Sequence, residues 1–220
     1  MSYGLTLALD GSTYAGSAAV IRDMTVLASR ELSDAAMPGK DGREENFLPM
    51  VAACLADADV GVLEVDRVVC GSGPGSFTSL RIAASIAKGI AVGAGRPLFA
   101  VPSLMLIVAD VKPGRYLATL GAMRGEVFAG QFEVTAEGRV EELSAVAILG
   151  ESAVAAEAER LGAKALAGVM PHARAVSRML PTVLATGEVD IATWEPTYGR
   201  LAEAQVRWEA LHGRPLTAAG

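Results

Sequence analysis

The stretch Cys70-Gly71-Ser72-Gly73-Pro74-Gly75-Ser76-Phe77-Thr78-Ser79-Leu80-Arg81-Ile82 joins a predicted strand to a predicted helix. The apolar run from Val65 to Cys70 predicts a buried strand, and the glycines and proline of Gly71 to Ser76 are typical of a loop. Phe77 to Gly93 then shows helical periodicity in three stripes, two of them apolar. A helix with two apolar faces predicts an α/β arrangement, with a sheet on one side and another helix on the other.

The residues before this segment predict three strands and a helix. Leucines alternate with smaller residues from Leu5 to Leu9, and Ser17 to Ile21 and Thr25 to Ala28 read as two more short strands. Together they predict an antiparallel meander. The helix predicted over Phe47 to Ala58 is apolar around nearly its whole circumference, and such a helix is either buried or at an interface.

The residues after this segment repeat the order of strands and helices. A short strand is predicted at 98–101 and a helix from Pro102 to about Asp110, and Lys112-Pro113-Gly114 is the best internal boundary. Beyond it we predict strands at 116–120, 126–134, 140–146 and 164–169, and helices at 151–161, around 172–180, and at 198–212. The pattern predicts two related lobes, residues 1–101 and 102–220, with the final helix packing back on the first.

Composition excludes several classes of protein. The 220 residues contain 19 Lys and Arg against 25 Asp and Glu, a net charge of -6. A strongly basic, free-standing nucleic-acid binder is thereby excluded, although a subunit of a complex that handles nucleic acid is not.

The cysteines and the apolar stretches bear on location and metal binding. Cys54 and Cys70 form no CxxC pair, so no zinc site is predicted, and free cysteines indicate a reducing, cytoplasmic compartment. We read no signal peptide. The most apolar stretch, Leu80 to Val92, contains two charges and is shorter than the roughly 20 residues of a membrane span.

One candidate phosphate-binding site lies at the ends of two predicted strands. Glycines and a helix N-terminus favour an anion, which points to Gly73, Gly75 and Ser76, and Asp10 could hold a hydrated Mg²⁺ beside it. The same residues also fit tight turns with no ligand, and the loop is not a Walker A motif. Both interpretations stay open at this point.

The sequence predicts no catalytic residue. His172 and His212 are the two histidines, they form no HExxH motif, and we interpret both as surface residues. Ser76, Ser79 and Ser103 lie in no GxSxG elbow, and a helix-capping role suffices for them.

The segment Cys70–Ile82 resembles the GxGPGSFTGLRIG signature of the bacterial TsaB (YeaZ) family. These proteins are the dimerisation subunits of the tRNA threonylcarbamoyladenosine machinery. Weaker resemblances follow in the family's order at Leu7–Asp10, Phe47–Met50, Phe99–Leu104, Arg124–Phe128 and Glu195–Tyr198.

The resemblance implies a two-lobed actin/Hsp70-like ATPase fold, with ribonuclease H-like lobes and mixed sheets flanked by helices. It also implies a non-catalytic scaffold that pairs with the TsaD paralogue, joined by the ATPase TsaE. The complex transfers a threonylcarbamoyl group to N6 of adenosine 37 in tRNAs that read ANN codons. No cofactor is expected for this chain itself, whereas ATP or ADP with Mg²⁺ is expected in the assembled complex. Alone, the chain is expected to form a homodimer.

In the resembled family, the two helices of the first lobe build the dimer surface. We therefore predict that the apolar positions of helices 47–58 and 77–93 bind the partner. These are Phe47, Met50, Val51, Cys54, Leu80, Ala84, Ala87 and Ala91.

The chain departs from the family pattern at several positions. The His-Ser/Thr pair before the first helix is replaced by Arg43–Asn46, the residue after Asp10 is Gly11, and Ser79 stands where glycine is usual. A DAR triplet in the second lobe is replaced by Gly121-Ala122-Met123. Two alternatives remain. One is an active sugar or acyl kinase, which would need a second phosphate-binding loop near residue 121, and the other is a peptidase.

Overall fold

The computed structural model describes residues 3–32, 46–199 and 211–212, and it contains two five-stranded sheets. The first has the order β3-β2-β1-β4-β5. Its first three strands are antiparallel, which confirms the predicted meander, while β4 and β5 continue the sheet in parallel. The strands are β1 (Leu5–Asp10), β2 (Ser17–Arg22), β3 (Thr25–Glu31), β4 (Arg67–Gly71) and β5 (Leu98–Val101).

Two helices cover one face of this sheet: α1 (Phe47–Asp57) and α2 (Phe77–Ala94). Ser76 caps the start of α2, and Gly95 ends it in the left-handed conformation that glycine adopts without steric cost. By length and composition α2 is apolar enough to cross a membrane. Its buried side packs on β4 and β1, so here it is a core helix of an α/β fold.

The second sheet has the order β10-β6-β7-β8, and β9 also pairs with β7. The single strand predicted at 140–146 was wrong, since β8 and β9 flank an irregular segment at 143–146. Glu142 pairs with Phe132 and Ala147 pairs with Ala129, so the register shifts by two residues between them. The strands are β6 (Gly114–Gly121), β7 (Glu126–Val134), β8 (Val140–Glu142), β9 (Ala147–Gly150) and β10 (Lys164–Leu166).

Three further helices complete the layers: α3 (Ser103–Ile107), α4 (Val154–Arg160) and α5 (Val176–Ala185). Short 3₁₀ turns lie at Val62–Glu64, Glu151–Ala153 and Ala173–Ala175. Helices α3 and α5 lie in the core that both sheets share, and α4 packs against β6, β7 and β10 in a separate cluster. The chain thus stacks as helices, sheet, helices, sheet, helix.

After α5, residues 187–199 return to the first sheet; we call them the return segment. The Val189 amide donates to the Leu98 carbonyl (2.8 Å), and Trp194 packs into the cluster under α2. Most of the helix predicted at 198–212 lies outside the described residues. The division into residues 1–101 and 102–220 stays a prediction, and the return segment crosses it.

Candidate functional site

The carboxyl ends of β1 and β4 enclose a buried acid. Asp10 is 1% exposed, and its carboxylate accepts hydrogen bonds from the Ser12 amide (3.1 Å), the Ser12 hydroxyl (2.5 Å) and the Ser103 hydroxyl (2.6 Å). Burial raises the Asp10 pKa, and these hydrogen bonds oppose the rise. A Cβ atom at Gly71 would collide with this carboxylate, so the site is closed by packing.

The backbone of the glycine-rich loop makes its hydrogen bonds within the chain. The amide of Ser72 donates to the Val101 carbonyl (2.8 Å), that of Gly73 to the Ser103 hydroxyl (3.1 Å), and that of Ser76 to the Ser12 carbonyl (2.8 Å). The close approach that these bonds require explains why glycines stand here. Gly75, for example, lies so close to the Ser12 backbone that a Cβ atom would collide with it.

These contacts argue against the phosphate-binding interpretation of Asp10, Gly73, Gly75 and Ser76. Three amides of the loop already have acceptors, and the Asp10 carboxylate is inaccessible. The Ser76 hydroxyl accepts a hydrogen bond from the Ser79 amide (3.5 Å) and so caps the start of α2, which is the helix-capping role expected for it. The structure therefore supports the turn without a ligand.

The return segment covers this loop from outside. The Thr197 amide donates to the Ser72 carbonyl (2.7 Å), and the Thr197 carbonyl lies directly over Gly73, where it leaves no room for a side chain. The neighbouring Tyr198 ring contacts Phe77, with 4.4 Å between the ring centroids. The Glu195–Tyr198 resemblance was noted from the sequence, but no pattern there indicated a contact with residues 72–77.

His172 is buried, contrary to the prediction of a surface residue, whereas His212 is exposed as expected. The His172 Nδ1 accepts from the Arg174 amide (3.0 Å), and Nε2 lies 3.1 Å from the Glu31 carboxylate. His172 therefore links the α5 region to β3, because its two ring nitrogens bond to both. Among the described residues no cluster of three metal-binding side chains occurs.

The predicted partner-binding residues do not reach the surface. All eight, Phe47, Met50, Val51, Cys54, Leu80, Ala84, Ala87 and Ala91, are 0–5% exposed and form the inner sides of α1 and α2. They therefore present no surface to a partner in this structure. Their small or apolar side chains are needed against the sheet itself, because Leu7, Leu9 and Val68 occupy the facing positions.

The opposite sides of the same helices form a different surface, which we call the outer face. Its members are uncharged, with Arg81 and Lys88 beside them on α2: Leu48 is 56% exposed and Val92 66%, with small residues around them and half-buried isoleucines at the margin. Its members are Leu48, Pro49, Ala52 and Ala56 on α1, and Ile82, Ser85, Ile86, Gly89, Val92 and Gly93 on α2. A helix side that faces water is ordinarily polar and charged.

A cavity of about 370 Å³ opens at the carboxyl end of β6, near Gly121. Its lining residues include Met123 and Met170, which are largely exposed, and Glu126 and Glu151. None of the described lining residues is a lysine or arginine. A phosphate would therefore find no cationic side chain among these residues, which argues against the second phosphate loop that a kinase would need.

Two mixed sheets with helices on their faces, stacked as described, define the ASKHA-like class to which actin and Hsp70 belong. The family model described as "TsaD: tRNA N6-adenosine threonylcarbamoyltransferase" matches residues 38–172. The chain belongs to this family, and its relatives place it in the TsaB (YeaZ) group.

The relatives are similar in both sequence and structure. The chain is 36% identical over 133 residues to the tRNA threonylcarbamoyladenosine biosynthesis protein TsaB of Escherichia coli, covering 58% of this chain and 54% of that one. For the Bacillus subtilis TsaB the values are 30% over 129 residues, with 58% and 54% covered. The chain thus spans about half the length of the curated relatives it matches.

Structural similarity extends further along the chain. The solved structure of YeaZ from Pseudomonas aeruginosa is 25% identical, with a TM-score of 0.71, and the match covers 89% of this chain and 99% of that one. A second structure, titled as an uncharacterized protein with similarity to the peptidase YeaZ from the same organism, is 26% identical, with a TM-score of 0.72 and coverage of 90% and 100%.

Proposed function

We propose that this chain is a cytoplasmic, non-catalytic scaffold subunit in threonylcarbamoyladenosine biosynthesis. In this proposal it pairs with a TsaD-like paralogue, joined by a TsaE-like ATPase, and supports threonylcarbamoyl transfer to N6 of adenosine 37 in tRNAs that read ANN codons. Nucleotide and Mg²⁺ belong to the assembled complex. Similarity to proteins named for this pathway supports the proposal.

The observation that carries the proposal is the outer face of α1 and α2. Its exposed centre consists of small and apolar residues; the nearest charges are Arg81 and Lys88 on α2, the latter lying over the Trp194 ring, and Asp57 on α1. Asp57 is already paired with Arg30 in a two-point contact. An uncharged, contiguous helical surface of this kind is typical of a face that another protein covers.

The buried Asp10 site supports a role without chemistry. Its acid has three hydrogen-bond donors and no access to solvent, and His172 is occupied with Glu31 and the Arg174 amide. The Ser12 and Ser103 hydroxyls do bond to the Asp10 carboxylate, but all three side chains are buried and out of reach of a substrate, which disfavours the peptidase alternative. The acidic lining of the cavity near Gly121 disfavours the kinase alternative.

Gly89→Arg tests the proposal. Gly89 lies on the outer face with nothing within 4 Å of an added Cβ atom, and replacing a helical glycine favours the helix by up to about 1 kcal/mol. The variant should therefore fold. Against a docked helix, however, the arginine would be an unpaired buried charge, which costs roughly 3–5 kcal/mol of binding.

The matched control is Ala155→Arg, which places the same side chain on an exposed position of α4. We expect Gly89→Arg to lose the co-purified paralogue and Ala155→Arg to keep it. In cells that depend on this chain, mass spectrometry of tRNA nucleosides should show loss of the modified adenosine only for Gly89→Arg. If Gly89→Arg keeps both the co-purified paralogue and the modified adenosine, the proposed use of the outer face is wrong.

A further inference from the structure

The outer edge of the second sheet offers a place for an added strand. β8 and β9 both lie along the side of β7 that faces away from β6. Among residues 3–32, 46–199 and 211–212, no strand pairs with the other edge of β9. Proteins ordinarily protect such an edge with lysine, proline or a covering element.

The register of β9 shows which backbone groups point outward. The Glu151 amide donates to the Gly125 carbonyl (2.9 Å), and hydrogen-bonded and non-hydrogen-bonded pairs alternate in an antiparallel ladder. The pairs of Leu149 and Ala147 with β7 are therefore the hydrogen-bonded ones. It follows that Ile148 and Gly150 direct their N–H and C=O groups away from β7.

The side chains along this edge are uncharged and exposed. Residues 143–150, Leu-Ser-Ala-Val-Ala-Ile-Leu-Gly, include no charged residue and no proline, and only Leu149 is partly covered. Leu143, Val146 and Ile148 are 37–42% exposed. The irregular segment at 143–146 shortens the strand, but none of the usual protective residues stands in it.

Acidic residues flank the uncharged segment at both ends. Glu141 and Glu142 precede it and Glu151 follows it, and all three are exposed. These carboxylates complement a strand that carries basic residues at its own ends. Residues 140–159 of this chain include no lysine or arginine, so a second copy of the same edge would not supply them.

We propose that the β9 edge binds an extended segment of another protein, with an uncharged centre of β-forming residues flanked by lysine or arginine. The partner's strand would accept from the outward N–H groups of Ile148 and Gly150 and donate to the Ile148 carbonyl. Its basic ends would lie against Glu141 and Glu142 at one end and Glu151 at the other. This surface lies on the second sheet and does not depend on the proposed role of α1 and α2.

Fluorescence anisotropy with the full chain and labelled peptides tests the proposal. The probes are KRTVTVTRK, its acidic counterpart EDTVTVTDE, and KRTPTPTRK, whose prolines remove the backbone donors of the added strand. We expect the first to bind, the second to bind at least about tenfold more weakly, and the third not to bind. Binding of the first should weaken with added salt.

Two variants locate the binding site. Ile148→Pro removes an outward N–H group and leaves the pairing with β7, so it should fold and reduce affinity for KRTVTVTRK at least about tenfold. Leu149→Pro instead removes a bond to β7 and should lower thermal stability. The double variant Glu142→Lys with Glu151→Lys should reverse the preference between the two charged peptides, whereas Glu188→Lys, exposed elsewhere, should not.

Three results would overturn the proposal: equal affinity for the basic and acidic peptides, an unchanged preference in the double variant, or affinity that Ile148→Pro leaves unchanged. A dimer that dissociates on Ile148→Pro would also overturn it, because the edge would then bind a second copy. The double variant keeps the test decisive if Ile148→Pro does not fold, since it changes only exposed side chains.

Discussion

The two sheets end differently where the glycines cluster. At the end of β4 in the first sheet, glycines bring the backbone against Asp10, Ser12 and Thr197, and the space is closed. At the end of β6 in the second sheet, Gly121 and Gly125 border an open cavity. The difference shows that a glycine-rich turn after a strand is not by itself a ligand site, because in the first sheet the glycines permit close packing.

The largest effect expected from this difference is on the free energy of unfolding. Gly71→Ala places a methyl group against the Asp10 carboxylate and should lower the free energy of unfolding by about 2–3 kcal/mol. Gly121→Ala meets nothing within 4 Å and should change it by no more than about 0.5 kcal/mol. Urea unfolding of both variants measures the difference, and equal losses would show that the two ends are not packed differently.

A smaller effect follows from the raised Asp10 pKa. The folded chain holds this proton more tightly than the unfolded chain does, so protonation stabilises the fold. The contribution is complete below the ordinary pKa of 3.8 and is lost as the pH rises through the folded value.

The Asp10→Asn variant isolates this contribution. The stability of the wild type relative to the variant should fall as the pH rises above 3.8, with a slope of at most about 1.4 kcal/mol per pH unit. Urea unfolding at a series of pH values measures it. A difference that grows with pH would mean that the folded state favours the Asp10 anion.

The smallest expected effect is that of nucleotide on the melting temperature. A closed first site and an acidic second cavity predict that ATP with Mg²⁺ does not raise the melting temperature of the isolated chain. Saturation to a hundred times the dissociation constant would add about 2.7 kcal/mol, which raises the melting temperature by roughly 5–11 °C at this size. A rise of that size, abolished by Asp10→Asn, would contradict the closed site.

Periodicity predicted the element order well, because apolar alternation and helical stripes depend on local burial. The meander, α1, α2 and β7 were confirmed within a few residues. The break between β8 and β9 was not predictable, since Leu143 to Val146 has the composition of a strand. The strand is interrupted because its pairing with β7 shifts by two residues between Glu142 and Ala147.

The sides of a helix were harder to assign than its presence. The polar stripe of Arg81, Ser85 and Lys88 indicated the outward side of α2, but two stripes are apolar, so the sequence could not show that the one with Ala84 and Ala87 is buried. The sequence Asp10-Gly11-Ser12 likewise predicted a turn at Asp10. The hydrogen bond from the Ser103 hydroxyl to Asp10 joins residues 93 positions apart, and no local sequence pattern indicates it.

The most direct measurement is the amount of threonylcarbamoyladenosine in tRNA from cells whose only copy of this chain carries Gly89→Arg or Asp10→Asn. The account predicts loss of the modified nucleoside with Gly89→Arg, whose side chain blocks the outer face. It predicts near-normal levels with Asp10→Asn, provided circular dichroism shows both variants folded. Normal levels with Gly89→Arg together with loss in Asp10→Asn would contradict the account and place the essential site at the buried acid.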